Sequence, residues 1–303
     1  MSSLREVQLV GREALDAATV LLQRTRREHP TAGLYEAADL QWWWAQGPRS
    51  SDELPQLFWF DGADRPAAAV IATAWAAHVQ LDPLVLPGAA AEWIDAVVGR
   101  GLAHARACGI DAVELEVDRA DAALRGALAA RGFAPAGGGY DELWLDVAER
   151  APVSALAAGY RLASRADTPH AAHHMLRTGR HHPDLPARLA QMSLYRPDLD
   201  LVIHDRAGGV AAYALCWFDP TSATGLVEPV RTEDAHQRRG LARHLLTVGI
   251  ERLAGAGAKR VKICHDTAND VAGRLYRSVG FRPDRRTVLM AGATSPGRAS
   301  PAI

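Results

Sequence analysis

The chain contains 303 residues, of which 48% are hydrophobic and 23% are charged, and its formal net charge is −1. This length predicts two domains of ordinary size, and the balanced charge argues against nucleic acid as a partner. The three Cys form no CxxC pair, the N-terminus lacks a signal-peptide pattern, and no apolar run reaches the roughly 18 residues of a membrane span. We therefore expect a cytoplasmic protein with no membrane partner, and the heavy use of Ala and Arg favours a bacterial source.

The predicted elements repeat once along the chain. In the first half, a helix ends at Gly109 and is followed by a strand, a second helix and a Gly-Phe pair that begins at Gly132. In the second half, the same order starts at Gly257 and reaches its Gly-Phe pair at Gly280. Both intervals are 23 residues long, and the two copies are 148 residues apart. Because Gly permits the left-handed turn out of a helix, this spacing favours two related domains over chance agreement between unrelated stretches.

The predicted boundaries place one domain at 1–147 and the other at 158–292. Pro152 and small residues interrupt the pattern between them, and a Gly-, Ala-, Ser- and Pro-rich tail at 293–303 is predicted to be disordered. The first domain is rich in aromatic residues, which we interpret as a core, with a ligand-stacking surface as the alternative. These residues are Trp42, Trp43, Trp44, Phe58, Trp59, Phe60 and Trp75.

The second half contains a candidate phosphate-binding helix start. A predicted strand and loop lead into an apolar-periodic helix, and the first turn of a helix has backbone N–H groups without intrahelical partners, which favour an anion. Gly240 and Ala242 would let a diphosphate approach the backbone, and Arg238, Arg239 and Arg243 add positive charge. A solvated basic helix start is the alternative. The segment reads Gln237, Arg238, Arg239, Gly240, Leu241 and Ala242.

This segment resembles motif A of the GNAT superfamily of acyl-CoA-dependent N-acyltransferases, whose pattern is Q/R-x-x-G-x-G/A. Residues 269–281 resemble motif B of the same superfamily, in the right order and at the right separation. The resemblance implies an α/β (α+β) fold with two GNAT-like domains, each a mixed, mostly antiparallel twisted sheet flanked by helices. It also implies that the fourth and fifth strands separate and that acetyl-CoA, the acyl donor, lies between them.

The resemblance also implies roles for individual residues. Tyr276 matches the position of a general acid for the leaving thiolate, with a core Tyr as the alternative. Glu228 matches a strand-four carboxylate that accepts the amine proton, directly or through water, with a polar strand edge as the alternative. Pro229 predicts a bulge next to it, because Pro cannot donate to a sheet.

Two further positions are implied to contact the donor. Val230 would pair its backbone with the pantetheine arm, and Asn269 would contact the pantetheine or diphosphate unless it only caps a helix. Trp217, His265 and Asp266 are candidate pocket residues by location. The full set implied to bind acetyl-CoA is Val230, Gln237, Arg238, Arg239, Gly240, Leu241, Ala242, Arg243 and Asn269.

The first half lacks the corresponding motif. At the offset of 148 residues, Gly240 corresponds to Glu92 and Tyr276 corresponds to Leu128, which cannot donate a proton. A small insertion or deletion is expected nearby, because Asp82-Pro83 resembles Glu228-Pro229 at an offset of 146. The sequence therefore predicts a degenerate domain without acyl-CoA, as in tandem members of this superfamily.

A histidine-rich segment raises the question of a metal. His170 and His174 have i, i+4 spacing, and His173, His181 and His182 lie close by. No Cys or HExxH pattern accompanies them, so we expect no metal and interpret the segment as a solvated helix and loop.

The resemblance predicts an N-acetyltransferase that moves an acetyl group from acetyl-CoA to a primary amine of a small molecule by direct attack in a ternary complex. Protein N-acetylation and a non-catalytic acyl-CoA sensor stay open as alternatives. The sequence leaves open the acceptor, the acyl length and whether the protein is a monomer or a homodimer.

Overall fold

The computed structural model describes residues 4–294, which form thirteen strands and seven α-helices. The strands are β1 (Arg5–Leu9), β2 (Gln56–Phe60), β3 (Pro66–Ala74), β4 (Val79–Val85), β5 (Ala112–Asp118), β6 (Ala134–Pro135), β7 (Tyr140–Asp146), β8 (Arg161–Ser164), β9 (Asp200–His204), β10 (Val210–Asp219), β11 (Thr224–Thr232), β12 (Arg260–Asp266) and β13 (Arg282–Ala293). The helices are α1 (Gly11–Glu28), α2 (Ala37–Ala45), α3 (Ala91–Ala107), α4 (Ala122–Ala130), α5 (Leu185–Leu189), α6 (Leu241–Ala256) and α7 (Asp270–Ser278). None of the helices between residues 4 and 294 combines the length and the apolarity needed to cross a membrane.

All strands belong to one mixed sheet. Its order is β1-β2-β3-β4-β5-β13-β7-β12-β11-β10-β9-β8, and the short strand β6 pairs with β13. Neighbours are antiparallel except for β4 with β5 and β11 with β12, which are parallel. Each half thus contributes a run of antiparallel strands that ends in one parallel pair. The predicted fold class, a mixed and mostly antiparallel sheet flanked by helices in each half, is confirmed.

The two halves exchange strands at the centre of the sheet. Strand β7 is the last strand of the first half in sequence, but all seven of its residues pair with β12 of the second half. Conversely, residues 287–293 of β13 pair with β5 of the first half. Residues 282–286 of β13 pair with β7 and close the sheet between these two pairs. The halves are therefore joined by backbone hydrogen bonds as well as by side chains.

A hydrophobic core also crosses from one half to the other. Buried residues of α1 and α2, including Leu21 and Trp42, cluster with Met175, Leu185 and Trp217 of the second half. The rings of Trp42 and Trp217 lie 6.4 Å apart. Burial of large aromatic and aliphatic side chains is the main favourable contribution to packing, so each half contributes to the stability of the other.

The structure confirms the sequence repeat in its central part. Strands β5 and β12 begin 148 residues apart, as do helices α4 and α7. Both helices also start with an equivalent side-chain cap: Asp121 accepts the backbone N–H of Leu124, and Asn269 accepts that of Ala272. The offset of 148 residues therefore holds from the fifth strand of each half through the helix that follows it.

The offset of 148 is wrong, however, at the helix that precedes these elements. Helix α6 has Gly240 as its N-cap residue, whereas α3 has Ala90, so the equivalent positions are 150 residues apart. Glu92, which the offset placed opposite Gly240, lies inside the first turn of α3. The connection between the fourth strand and the helix is longer in the second half, with residues 233–240 against 86–90, whereas the stretch from the helix start to the fifth strand is two residues longer in the first half, since 112 − 90 = 22 and 260 − 240 = 20.

Two expectations about the ends of the domains are only partly covered by the structure. The domain boundaries at 147 and 158 stay a prediction, because β7 and β13 pair across the halves and join their strands into one continuous sheet. The predicted tail begins inside β13, because Ala293 is its last residue and the backbone N–H of Thr294 donates to Asp111. The remaining positions, 295–303, lie outside the described residues.

The strand exchange gives a first testable prediction. If a protease site is inserted after Pro152, in the segment that connects the halves, cleavage should leave both fragments bound to each other. We expect them to co-elute at the volume of the intact protein in gel filtration, because separation would expose β12 and β5 along their edges. Elution as two separate fragments without denaturant would contradict the exchange.

Candidate functional site

Strands β11 and β12 separate and open a cavity at the centre of the molecule. Their parallel register covers only residues 224–226 of β11 and 260–262 of β12, although both strands continue beyond it. The cavity has a volume of about 450 Å³, which lies within the range of small-molecule sites. Its walls come from both halves: Leu34, Tyr35, Asp39, Trp43, Gln46, Trp75, His78, Gln80, Glu116, Tyr140, Glu142, Val227, Glu228, Val230, Lys262, Cys264, Tyr276 and Thr287.

A bulge in β11 carries Glu228 at the cavity wall. The pairing of β11 with β10 shifts between Val227 and Val230, as the Glu228-Pro229 pair predicted. The indole Nε1 of buried Trp217 donates to the Glu228 carbonyl oxygen at 2.9 Å. Trp217 thus supports the bulge from behind.

The Glu228 side chain is half-buried at the cavity wall, among other ionisable groups. Burial raises its pKa well above the usual value, and nearby Asp39 and Glu116 raise it further, while Lys262 opposes them. Asp39 lies on α2 of the first half and lines the same cavity as Glu228. A carboxylate with a raised pKa is a stronger base than an ordinary Glu.

Tyr276 lies on α7 and lines the same cavity, although its side chain is only 8% exposed. Its ring packs against His265 and Phe281, with centroid distances of 5.9 and 6.3 Å. Burial raises the pKa of its phenol, with smaller contributions from Cys264 and Glu228. The Tyr276 ring therefore packs in the core while the residue also lines the cavity. Because its pKa is raised, the phenol stays protonated at neutral pH.

The start of α6 is open to solvent. Residues 237–240 are exposed, and both Arg238 and Gly240 have left-handed backbones, with φ of +62° and +76°. A Cβ atom at Gly240 would have no neighbour within 4 Å. The first helical hydrogen bond runs from His244 N–H to the Gly240 carbonyl, so the preceding N–H groups are available to a ligand. This geometry suits an anion such as a diphosphate.

The other residues of this segment occupy different surroundings. Leu241 is buried in the core and Ala242 is half-buried, whereas Arg239 and Arg243 are exposed. The side chain of Gln237 donates to Asp234 at 3.0 Å. The structure thus leaves the arginines, rather than Gln237, free to reach a phosphate.

Val230 and Asn269 flank the cavity and the next helix. Val230 lines the cavity and pairs with Ala214 of β10, while its other edge lies beyond the register shared with β12. Its backbone is thus accessible to an extended ligand in the opening. Asn269 caps α7, as its alternative interpretation held, and its contact with a ligand remains a prediction.

The other two location-based candidates lie outside the cavity wall. His265 is buried beneath α7, where its ring blocks any Cβ at Gly273. Asp266 is exposed, and its backbone carbonyl lies 2.8 Å from Nδ1 of His265. Both residues fix the end of β12 below Tyr276.

Sequence analysis missed the contribution of Lys262. Only 1% of this residue is exposed, and its Nζ lies 3.5 Å from Asp39 and 3.4 Å from Glu142. It also donates to the Leu34 carbonyl. The first half thus supplies charged groups to a cavity of the second half. A signal was present, since Lys262 is one of two Lys in an otherwise Arg-only set of cations.

The aromatic residues of the first half serve both interpretations. Trp42, Phe58 and Trp59 are buried in the core. Trp43 and Trp75, in contrast, line the cavity and pack edge to face at 5.6 Å. Some of these aromatic residues thus form the core and others form the cavity wall, and stacking against a ligand stays a prediction.

The histidine-rich segment is not a solvated helix, so that interpretation is wrong. His173 and His174 are buried, with Nε2 atoms 3.0 and 3.1 Å from Asp200, and 170–174 contains no helix. These three residues place potential metal-ligand atoms within 4.8 Å of one another. However, Nδ1 of His173 accepts the Met175 N–H, so Nε2 carries the proton in a neutral ring and donates to Asp200. His173 therefore hydrogen-bonds Asp200, whereas Nε2 of His174 and Oδ1 of Asp200 are buried without a hydrogen-bond partner among the described residues.

The first half has no equivalent of the open helix start. Ala90 begins α3 with φ of −65° instead of a left-handed Gly, and Glu92 puts a negative charge in the first turn. Leu128, at the position of Tyr276, is fully buried. Within residues 4–294, the second half alone combines an opened parallel strand pair with a left-handed Gly at the start of the following helix.

Comparison with known proteins finds one family match. Residues 166–281, which make up most of the second half, match the model of the acetyltransferase (GNAT) family. No curated protein matches the sequence. The match supports acyl transfer from an acyl-CoA donor by this part of the chain.

Solved structures extend the likeness of fold to the whole chain. A tandem GNAT protein from the clavulanic acid biosynthesis pathway is 15% identical with a TM-score of 0.69, and the alignment covers 98% of this chain and 100% of that protein. A GCN5-related N-acetyltransferase from Sphaerobacter thermophilus is 15% identical with a TM-score of 0.63, covering 97% of each chain. A GNAT-family acetyltransferase from Colwellia psychrerythraea is 9% identical with a TM-score of 0.58, covering 95% and 99%.

Proposed function

We propose that the protein is an N-acetyltransferase that transfers an acetyl group from acetyl-CoA to a primary amine of a small molecule in a ternary complex. One observation carries the proposal: Glu228 and Tyr276 line the same cavity, at the opening between β11 and β12. A base and an acid thus share one enclosed space in a domain of the acetyltransferase family.

The donor would lie along the opening. The α6 N–H groups, with Arg238, Arg239 and Arg243, would bind the diphosphate of acetyl-CoA. The backbone of Val230 would pair with the pantetheine arm, and Asn269 would lie beside it. A backbone N–H in this part of β11 would polarise the thioester carbonyl. This set brings the acetyl group to the cavity that contains the two ionisable side chains.

The chemical step requires three proton transfers. Glu228 would take a proton from the ammonium form of the acceptor, directly or through water, so that the neutral amine attacks the thioester carbonyl. The C–S bond then breaks, and the Tyr276 phenol would give its proton to the departing thiolate of coenzyme A. The second proton leaves the acceptor nitrogen as the amide forms and would return through water to the Tyr276 oxygen. Holding both reactants in one cavity lowers the entropic part of the barrier.

The size of the cavity favours a small acceptor over a protein. Its volume of about 450 Å³ is bounded by α2 of the first half and by β7 as well as by the GNAT domain, whereas a protein substrate needs an open groove for its backbone. The three Cys are all unpaired, which supports our proposal of a cytoplasmic location.

Release of free thiol from acetyl-CoA in the presence of a library of small primary amines tests the proposal. Tyr276→Phe should lower kcat about tenfold for an active amine, because it removes the proton donor but keeps the ring. Calorimetry should show unchanged affinity for coenzyme A in this variant. Saturable binding of acetyl-CoA with no thiol release for any amine would instead indicate a non-catalytic sensor.

A further inference from the structure

The ionisable groups on the cavity wall do not balance. Four carboxyl groups line it, from Asp39, Glu116, Glu142 and Glu228, together with Lys262 and His78. Lys262 lies between Asp39 and Glu142, and Nε of Arg285 lies 3.4 Å from Glu142. These two carboxylates are therefore neutralised by the protein.

Glu116 and Glu228 are different. Among residues 4–294, neither has a Lys, Arg or His within 4.0 Å of its carboxylate. One lies on β5 of the first half and the other on β11 of the second half. They face one cavity, and Glu116 contributes to the raised pKa of Glu228. A carboxylate without a nearby cation in a partly enclosed cavity is unfavourable, so each of these two groups is suited to pair with a positive charge of a ligand.

Neutral donors hold the Glu116 carboxylate in a fixed orientation. One oxygen accepts the Thr287 hydroxyl at 2.6 Å, and the other lies 3.2 Å from the Tyr35 hydroxyl. The same hydroxyl is 2.8 Å from Asp82, which Gln80 also contacts. A side chain positioned by hydrogen bonds but left without a cation is typical of a binding group.

Aromatic rings surround this part of the cavity. The rings of Tyr35 and Trp43 meet edge to face at 5.2 Å, and Trp43 meets Trp75 at 5.6 Å. All three residues line the cavity. Aromatic faces attract ammonium and guanidinium groups, so the wall near Glu116 matches the chemistry of a cation.

We propose that the acceptor is a dication, with its reactive amine at Glu228 and a second ammonium or guanidinium group held by Glu116 among Tyr35, Trp43 and Trp75. The role of Glu228 rests on the proposed function, whereas the second cation site depends only on the first half. Glu116 is therefore a specificity residue of the domain that lacks its own acyl-CoA site. An aliphatic diamine is the simplest compound of this class.

Equilibrium binding tests this proposal independently of turnover. With coenzyme A present, calorimetry would compare 1,4-diaminobutane with butylamine and 1,5-diaminopentane with pentylamine. We expect the better diamine to bind at least about tenfold more tightly than its matched monoamine. Equal affinities, or no binding by either class, would overturn the proposal, and this comparison needs no variant.

The variant Glu116→Gln identifies the residue. It keeps the shape of the side chain and removes its charge, so the diamine preference should fall to within about twofold. Glu92→Gln, an exposed change of the same kind on α3, should keep the full preference. If Glu116→Gln retains it as well, the assignment is wrong.

Turnover separates this inference from the proposed function. Glu116→Gln should raise KM for a diamine by a larger factor than KM for its matched monoamine. Acetylation of monoamines and diamines with equal kcat/KM would remove the second cation site and leave the acetyltransferase intact. Tight diamine binding without thiol release would have the opposite meaning, since it would support the cation site and contradict acetyl transfer.

Discussion

Glu228→Gln should lower kcat by about 10²-fold or more, the usual loss when a general base is removed. Only the carboxylate form accepts a proton, so activity should rise with pH through the pKa of Glu228. Burial, Asp39 and Glu116 raise this pKa while Lys262 opposes them. The rising limb should therefore lie above the range of an ordinary carboxyl group. This rising limb should vanish in the variant. The variant should keep only the rise in activity that comes from deprotonation of the acceptor amine.

The pH dependence of kcat/KM for both proteins, measured with one acceptor, is the decisive experiment. Glu251→Gln is a matched control, because Glu251 is an exposed residue of α6 in the same half. It should keep the profile and rate of the unchanged protein. An identical profile for Glu228→Gln would assign the proton transfer to water alone.

Local spacing accounts for the part of the fold that could be predicted. The interval between Gly109 and Gly132 recurs between Gly257 and Gly280, and the structure has left-handed backbones at all four positions. Turn geometry depends on a few neighbouring residues, so a single sequence reveals it. The offset of 148 residues between β5 and β12, and between α4 and α7, follows directly from these turns.

The exchange of β7 and β13 could not be predicted in this way. A strand can pair its backbone with any neighbour of suitable length, so its own residues do not specify the partner. The partner is decided by contacts between residues that are far apart in sequence. The longer connection before α6 has a similar origin, because loop length varies without changing the core. Sequence offset alone therefore misplaced Glu92.

The candidate site shows the same division. The α6 start and Tyr276 belong to short motifs, so their positions were predictable. Asp39 and Glu116 reach the cavity only because the first half packs over the opening of the second, and no local pattern records that contact. The first half thus supplies charged groups to a cavity that it shares with the second half.

Gly240→Asp should weaken coenzyme A binding about 10²-fold or more, which corresponds to about 2.7 kcal/mol. The new carboxylate would lie where the diphosphate meets the α6 N–H groups, in space that is empty around a Cβ. The left-handed backbone at this position, φ of +76°, should cost the variant some stability, and the favourable effect of a negative charge at a helix start should offset part of that cost. Thermal stability and ligand affinity are thus expected to change independently, which a damaged fold would not produce.

Two controls isolate the charge and the half in which it acts. Gly240→Asn has the same size and the same left-handed backbone requirement, φ of +76°, and Asn tolerates that region nearly as well as Asp. It should weaken binding much less. Ala90→Asp places the same charge at the exposed start of α3 and should leave affinity unchanged, because that helix does not meet the ligand. Equal losses for Asp and Asn at position 240 would mean that steric fit, not charge, governs binding there, and a loss at Ala90 would restore an acyl-CoA role to the first half.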